Sequence, residues 1–346
     1  MQELKQARAS KRRKSGNLRP ADEALERFSR SLAPTAKEDQ TIGLAVSGGP
    51  DSLALLLLAA AARPGKVEAA TVDHGLREGS RDEADMVAAL CKQLGVPHKV
   101  LTIAWEKKPA TAIQEQSRRR RYQVLGDWAT AWGIDLLATA HHAEDQAETL
   151  LMRLARGSGV RGLASIRGLR KLPGTEIALA RPLLGWTRQE LADGCAAAGV
   201  EPAIDPSNSD PRFERVRVRR TLAENRWLDP VGLANSATFL KQADDALRWA
   251  ANQEWRKRAR EEDDIITVDP TGLPREISRR FVRGIIMTLE TEGKGTELRG
   301  AEIERVLDAL AAGNKATLRG VLCGGGKVWR FAKAPDRRPV ANRRAR

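Results

Sequence analysis

The sequence predicts an α/β protein, a doubly wound parallel sheet followed by a smaller, mainly helical domain. Three observations carry this reading. Between Thr41 and Gly159 short β-type runs alternate four times with longer helical ones. Runs such as IGLAV and LLA are apolar, as strands buried on both faces must be. Beyond residue 228 the pattern is helical nearly throughout, and 346 residues at 41% hydrophobic suffice for two cores.

The elements follow in order. After Pro20, Leu25, Phe28 and Leu32 recur at helical spacing in ADEALERFSRSLA and predict an amphipathic helix. Then come IGLAV and SLALLLLAAAA; VEAATVD and RDEADMVAALCKQLG; HKVLTI and a helix over about 112–132; DLLATA and DQAETLLMRLARG. Right-handed crossovers between such units gather ligands at the carboxyl ends of the strands. IALARPLL, the helix TRQELADGCAAAG and a turn-rich loop, EPAIDPSNSDPRFE, complete this region. Residues 231–260 then read as a helix, with two more inside 274–312 and short strands at ATLRGVLC and KVWRFAK. The expected organisation is a basic arm over 1–20, a catalytic domain over 21–228, a helical domain over 229–322 and a basic tail over 323–346.

A net charge of +14 suggests a polyanionic partner, but its placement qualifies that. Residues 1–20 carry +6 and residues 323–346 carry +7, which leaves +1 for everything between. Cys91, Cys195 and Cys323 are too far apart for a CxxC redox or zinc pair, and three cysteines make no disulfide framework, so a reducing cytoplasm is expected. The longest apolar run, Leu53 to Ala62, is half of a membrane span, and no apolar segment follows the basic start as in a secretory signal.

Four segments carry chemistry. Ser47-Gly48-Gly49-Pro50-Asp51-Ser52 joins the first strand to its helix. Glycines there let backbone N–H groups close on an anion, Ser47 and Ser52 add hydroxyls, and an aspartate beside phosphates requires a bridging cation such as Mg²⁺. An ordinary capped βα turn has the same composition, and no lysine follows as in a Walker loop. At the end of the fourth strand stands His141-His142-Ala143-Glu144-Asp145-Gln146-Ala147-Glu148, where His141 and Asp145 should face the crevice. The same residues also spell a helix capping box, and a third zinc ligand is missing. Asp73 and His74 end the second strand, where an adenosine would lie. Arg118 to Arg121 with Tyr122, and Arg215, Arg217, Arg219 and Arg220, offer guanidinium forks suited to phosphates, although such runs are commonly solvated faces.

Together and in this order the segments resemble the tRNA(Ile)-lysidine synthetase family of the PP-loop ATP pyrophosphatase superfamily, over residues 21 to about 222. SGGPDS marks the superfamily; HHAEDQAET followed by RLARGSG, then DPSN and FERVR, is specific to the family. The resemblance implies that ATP adenylates the 2-oxo group of the wobble cytidine in a CAU anticodon. The ε-amine of free L-lysine then displaces AMP, turning a methionine anticodon into an isoleucine one. Carried over residue by residue, it implies ATP at Ser47, Gly48, Gly49, Pro50, Asp51, Ser52, Asp73 and His74, and Mg²⁺ at Asp51. Asp145 would hold and deprotonate the lysine, with His141 beside it and Arg118 on base or phosphate. Arg121, Arg215, Arg217 and Arg219 would meet the tRNA(Ile), and the enzyme would be a homodimer. Two departures stand out: Glu144 replaces the usual Asp, at a position taken as permissive, and Val216 stands where related versions have Asn. A tRNA thiolase would need catalytic cysteines, an amidotransferase a further domain, and a non-catalytic RNA chaperone would leave Asp51 and Asp145 without purpose.

Overall fold

A computed structural model describes residues 18–75, 80–105, 113–203, 210–291 and 298–335. Most of the basic N-terminal arm, the last eleven residues of the basic tail, Leu76 and Arg77, and the DPSNS stretch of the turn-rich loop lie outside the described residues. The chain divides into two compact units, 1–239 and 240–346.

The first unit is the α/β domain. Its sheet runs β3 (His98–Thr102), β2 (Val67–Asp73), β1 (Ile42–Ala45), β4 (Leu136–Ala138), β6 (Ala178–Ala180), β5 (Leu169–Lys171). All neighbours are parallel except β5, an antiparallel edge strand that the sequence pattern did not reveal. The chain winds outward from β1 through β2 to β3, then returns to β4 on the other side of β1. That reversal opens a crevice between the carboxyl ends of β1 and β4.

Packing explains why these residues build these layers. In α1 (Asp22–Leu32) the predicted Leu25, Phe28 and Leu32 are the buried ones. Helix α2 (Pro50–Ala62) is buried without interruption from Ser52 to Ala59, which suits its near-continuous leucine and alanine. Pro50 sits in its first turn, where a missing N–H costs nothing. Helices α3 (Ser80–Leu94) and α4 (Ile113–Ala131) follow β2 and β3. Gly43 lets α4 approach β1: a Cβ there would stand 3.1 Å from both Trp128 and Ile134. After β4 come α5 (Ala143–Leu154), the short α6 (Val160–Leu163), α7 (Arg188–Ala197) and α8 (Glu214–Glu224).

The partition between the units falls inside α9 (Pro230–Arg258), between Phe239 and Leu240, and not near residue 228 as expected. Helical periodicity runs unbroken across it, so no turn signal marks the change. The second unit is also less helical than expected. Strands β7 (Ala259–Glu262) and β8 (Ile265–Val268) join β9 (Lys315–Leu318), β10 (Val321–Gly324) and β11 (Trp329–Lys333) in a five-stranded antiparallel sheet, order β7-β8-β11-β10-β9. Helices α10 (Arg275–Leu289) and α11 (Gly300–Ala311) share its core with Phe281, Ile285, Ile303, Leu307, Val321 and Phe331. Residues 323–333, assigned to a charged tail, therefore belong to the fold: Cys323 and Phe331 are fully buried while Arg330 and Lys333 are exposed. Among the described residues no helix is long and apolar enough to cross a membrane.

Candidate active site

Strand β1 delivers Ser47, Gly48 and Gly49 to the crevice, and Gly48 turns with φ +86°, a conformation that favours glycine. The loop is braced from within. The Ser47 N–H donates to Ser52 Oγ at 3.1 Å, the Ser52 hydroxyl donates to the Gly49 carbonyl at 2.9 Å, and Ser47 Oγ lies 3.3 Å from Ser52 Oγ. Ser52, expected as a hydroxyl donor to phosphate, is thus occupied in shaping the loop. The Ala203 N–H meets the Gly48 carbonyl at 3.0 Å, and the Cys195 thiol meets the Pro50 carbonyl at 3.3 Å, which fixes the loop from α7 and the segment after it.

Asp51 stands in the first turn of α2. Its Oδ1 is buried and has no hydrogen-bond partner, while Oδ2 lies 3.4 Å from His142 Nε2. An orphaned carboxylate oxygen beside an anion-binding loop is the donor expected of a hard cation shared with phosphates. Magnesium commonly takes only one or two protein carboxylates, so the absence of any cluster of three metal-ligating side chains among the described residues leaves that fit intact.

Around His142 the site is dense with charge. This imidazole, 1% exposed, has Nδ1 2.8 Å from Glu144 Oε2 and Nε2 3.6 Å from Asp145 Oδ2. Burial works against its charged form, but hydrogen bonds with Asp51 and Glu144 and the nearby Asp145 charge lift its pKa to about 9. Glu144 also accepts the Arg188 N–H at 3.0 Å, tying the start of α5 to the start of α7. The position is therefore not indifferent to its occupant: the longer Glu spans from His142 to that amide. Sequence reasoning assigned His142 no role; its signal was adjacency to His141 inside the motif.

Asp145 caps α5 by accepting the His142 N–H at 3.0 Å and pairs with Arg215 Nη2 at 2.5 Å. Burial raises its carboxyl, yet the positive charges of His142 and Arg215 outweigh this and hold it below the usual carboxylate range. His141 behaves oppositely. Burial, aided by Arg181, Arg118 and Arg215, drives it down to about 3 against the pull of Asp145, so it is neutral, with Nδ1 3.0 Å from Thr139 Oγ1.

Helix α8 closes this side. Glu148, fully buried, takes Arg215 Nε at 2.5 Å and Arg219 Nε at 2.8 Å. Arg215 and Arg219, expected to face RNA, are turned inward because buried carboxylates require partners. Arg217 stays exposed and holds the Pro211 and Arg212 carbonyls. Val216 is buried in the α8 interface, which accounts for an apolar residue there. Asp73 Oδ1 accepts the Gly75 N–H at 2.9 Å at the end of β2, and the His74 carbonyl accepts Trp105 Nε1–H at 2.8 Å. Arg118 and Arg121 flank Tyr122 on α4. The three cysteines are buried and unpaired.

Comparison with known proteins agrees with this geometry. A family model described as a PP-loop domain matches residues 20–226. The tRNA(Ile)-lysidine synthase of Zymomonas mobilis is 43% identical over 299 residues, 86% of this chain and 89% of the relative. That of Novosphingobium aromaticivorans is 45% identical over 302 residues, covering 86% and 91%. Among solved structures, the U34-tRNA thiolase NcsA of Methanococcus maripaludis, with its [4Fe-4S] cluster, superposes with a TM-score of 0.52 at 18% identity over 64% of this chain and 78% of that one, a likeness of fold.

Proposed function

The chain belongs to the PP-loop family of the tRNA(Ile)-lysidine synthases, and from that premise we propose that it is an ATP-dependent ligase joining free L-lysine to the wobble cytidine of tRNA(Ile). The observation that carries this reading is the juxtaposition of the braced phosphate loop, with the free Asp51 Oδ1, and the His142–Asp145 charge cluster across one crevice.

The chemistry runs in two steps. The cytidine 2-oxo oxygen attacks the α-phosphorus of ATP, forming a C–O–P linkage and expelling pyrophosphate. The lysine ε-amine then attacks C2, AMP leaves with the bonding pair, and the amine gives up its proton. Backbone amides around Gly48 and Gly49 and the N-terminus of α2 hold the β,γ-phosphates as the leaving unit. Magnesium bound at Asp51 would neutralise charge on that unit.

The amine must arrive unprotonated, although its ammonium has a pKa of about 10.4. Asp145, anionic throughout the physiological range, is suited to hold the amino group, exchanging its bond with Arg215 as lysine enters. Protonated His142 with Arg118, Arg181 and Arg215 disfavours a further positive charge, so the bound amine is pushed toward its neutral form. Neutral His141 is the neighbouring acceptor. Arg121 and exposed Arg217 remain the proposed contacts to tRNA. The second unit, as a tRNA-binding domain, a homodimeric assembly and a cytoplasmic location complete the proposal.

Incubation with tRNA(Ile) bearing CAU, ATP, Mg²⁺ and labelled lysine should transfer label to the tRNA; no transfer at any Mg²⁺ concentration would overturn the reading. Asp145→Asn should abolish transfer while pyrophosphate release persists, and Asp51→Ala should abolish both. Equal loss of both steps in Asp145→Asn would assign Asp145 to ATP or to the fold.

A further inference from the structure

A second charged cluster borders this crevice and has no counter-charge among the described residues. Tyr122 is 5% exposed, and its phenol oxygen is buried beside the Arg181 guanidinium with no well-aligned hydrogen bond among the described residues. The guanidinium carbons of Arg118, Arg121 and Arg170 lie 4.9, 5.6 and 5.6 Å from its ring centre. Arg170, on β5, stands opposite Leu179 on β6. Alternation along the strand brings Arg181, two residues on, to the same face. Arg181 is also 5% exposed: Nη1 donates to the Arg167 carbonyl at 2.5 Å, while its Nε, like that of Arg170, is buried and unpartnered.

Among the described residues, no carboxylate pairs with Arg118, Arg121, Arg170 or Arg181. The contrast with Arg215 and Arg219 next door, both matched to Glu148, shows that the fold neutralises guanidiniums here when it has acids to do so. An isolated buried charge is expensive, and an unsatisfied buried hydroxyl adds to the cost. Burial together with Arg170 and Arg118 pushes Arg181 down to about 10, against the opposing pull of Tyr122. Cations, donors and stacking geometry all call for an anion with several acceptor oxygens.

Position narrows the choice. Arg181 directly follows β6, two strands from β1 and so roughly 10 Å from the phosphate loop. It lies on the side of the crevice away from β2, where Asp73 ends the strand. We infer that Tyr122, Arg170 and Arg181, rimmed by Arg118 and Arg121, form a phosphate-binding subsite for a backbone phosphodiester of the incoming RNA beside the reacting nucleotide. This deepens the proposed function and rests on it for the identity of the RNA. The same oxygen chemistry could come from the phosphate chain of ATP, and the test separates the two.

The variants are Tyr122→Phe and Arg170→Gln in the full chain. Dissociation constants are measured separately for tRNA(Ile), by filter binding across a salt series, and for ATP with Mg²⁺ and no tRNA. Because the Tyr122 hydroxyl makes no well-aligned hydrogen bond among the described residues, Tyr122→Phe should leave the melting temperature unchanged or higher, which a structural role would not do. A phosphodiester subsite predicts about tenfold weaker tRNA binding in each variant. It also predicts a salt slope lower by about 0.7–0.9 in Arg170→Gln, with ATP affinity unchanged. Weakened ATP binding with unchanged tRNA binding would support the subsite with ATP as its source. Wild-type affinity for both ligands in both variants would overturn it. If wild type transfers no lysine yet Tyr122→Phe weakens a ligand, the subsite stands and the ligase reading falls; active wild type with indifferent variants gives the converse.

Discussion

At the scale of single residues, the site is governed by which charges have partners. Glu148 is fully buried between Arg215 and Arg219, and the three hold α8 against α5. Breaking a buried pair costs about 3–5 kcal/mol, and partial access of both guanidiniums to water puts this case near the lower end. Glu148→Gln should therefore lower stability in a urea titration by about 3 kcal/mol; a change of less than about 0.5 kcal/mol, the range of ordinary surface substitutions, would show that α8 is held by apolar contact alone. The thiols make a second case. Burial pushes Cys91 and Cys323 up to about 12 and Cys195 up to about 11, the last aided by the Asp51 charge. Each raised value means that the folded state binds the proton more tightly. The thiols thus cost nothing below pH 9 and destabilise the fold increasingly as pH rises from 9 toward their folded values. Native protein at pH 8 should react with a disulfide reagent far more slowly than urea-unfolded protein. Rapid labelling in the folded state would reopen sulfur chemistry. Much of this scale was legible in the sequence: Asp51, Asp145 and the arginines were singled out by motif. Which arginines face inward was not, because Arg215 and Arg219 differ from Arg217 only by the helix face that Glu148 occupies.

Among elements, β-type runs flanked by helical ones were readable wherever the strand was central and apolar. Three escaped notice, and two of them lack that signature. Strand β5 is an exposed edge with two basic residues in LRK, and β7, AREE, is almost wholly charged. Strand β8 is apolar but follows Asp263 and Asp264, whose φ of 47° and 62° make the tight hairpin turn that joins it to β7. Pairing with neighbours decides such strands, and propensity alone does not. Close approach between elements was equally invisible. Gly43 on β1 reads as an ordinary strand glycine, yet any Cβ would meet Trp128 and Ile134 of the α4–β4 region at 3.1 Å. Gly43→Ala should cost about 1–3 kcal/mol by overpacking. Denaturant unfolding of the variant checks this, and unchanged stability would mean that α4 shifts freely and that the approach is incidental. Gln146 plays a related part, its amide clasping the Ile166 backbone at 2.9 and 2.7 Å and so fixing the segment after α6 beside the site.

For the whole molecule, the question is what the surplus charge does. Folded surfaces between the ends carry almost none of it, and the ordered arginines near the site are matched to carboxylates, gathered at Tyr122 or, like Arg217, bonded to backbone carbonyls. Residues 1–17 alone hold six basic side chains against Glu3. Counterion release makes such a segment a source of affinity that does not depend on nucleotide sequence and weakens with salt. Discrimination between two tRNAs with the same anticodon must come from shape and from groups in fixed positions, which a run of basic residues does not supply. Deleting residues 1–17 should therefore raise the dissociation constant for tRNA(Ile) and reduce the slope of log affinity against log salt by about 0.7–0.9 for each phosphate that the arm neutralises. The ratio of lysine transfer to tRNA(Ile) over methionine tRNA should stay as in the full chain. Were that ratio to fall while binding strength held, the arm would be reading identity, and the ordered arginines could no longer account for selection by themselves.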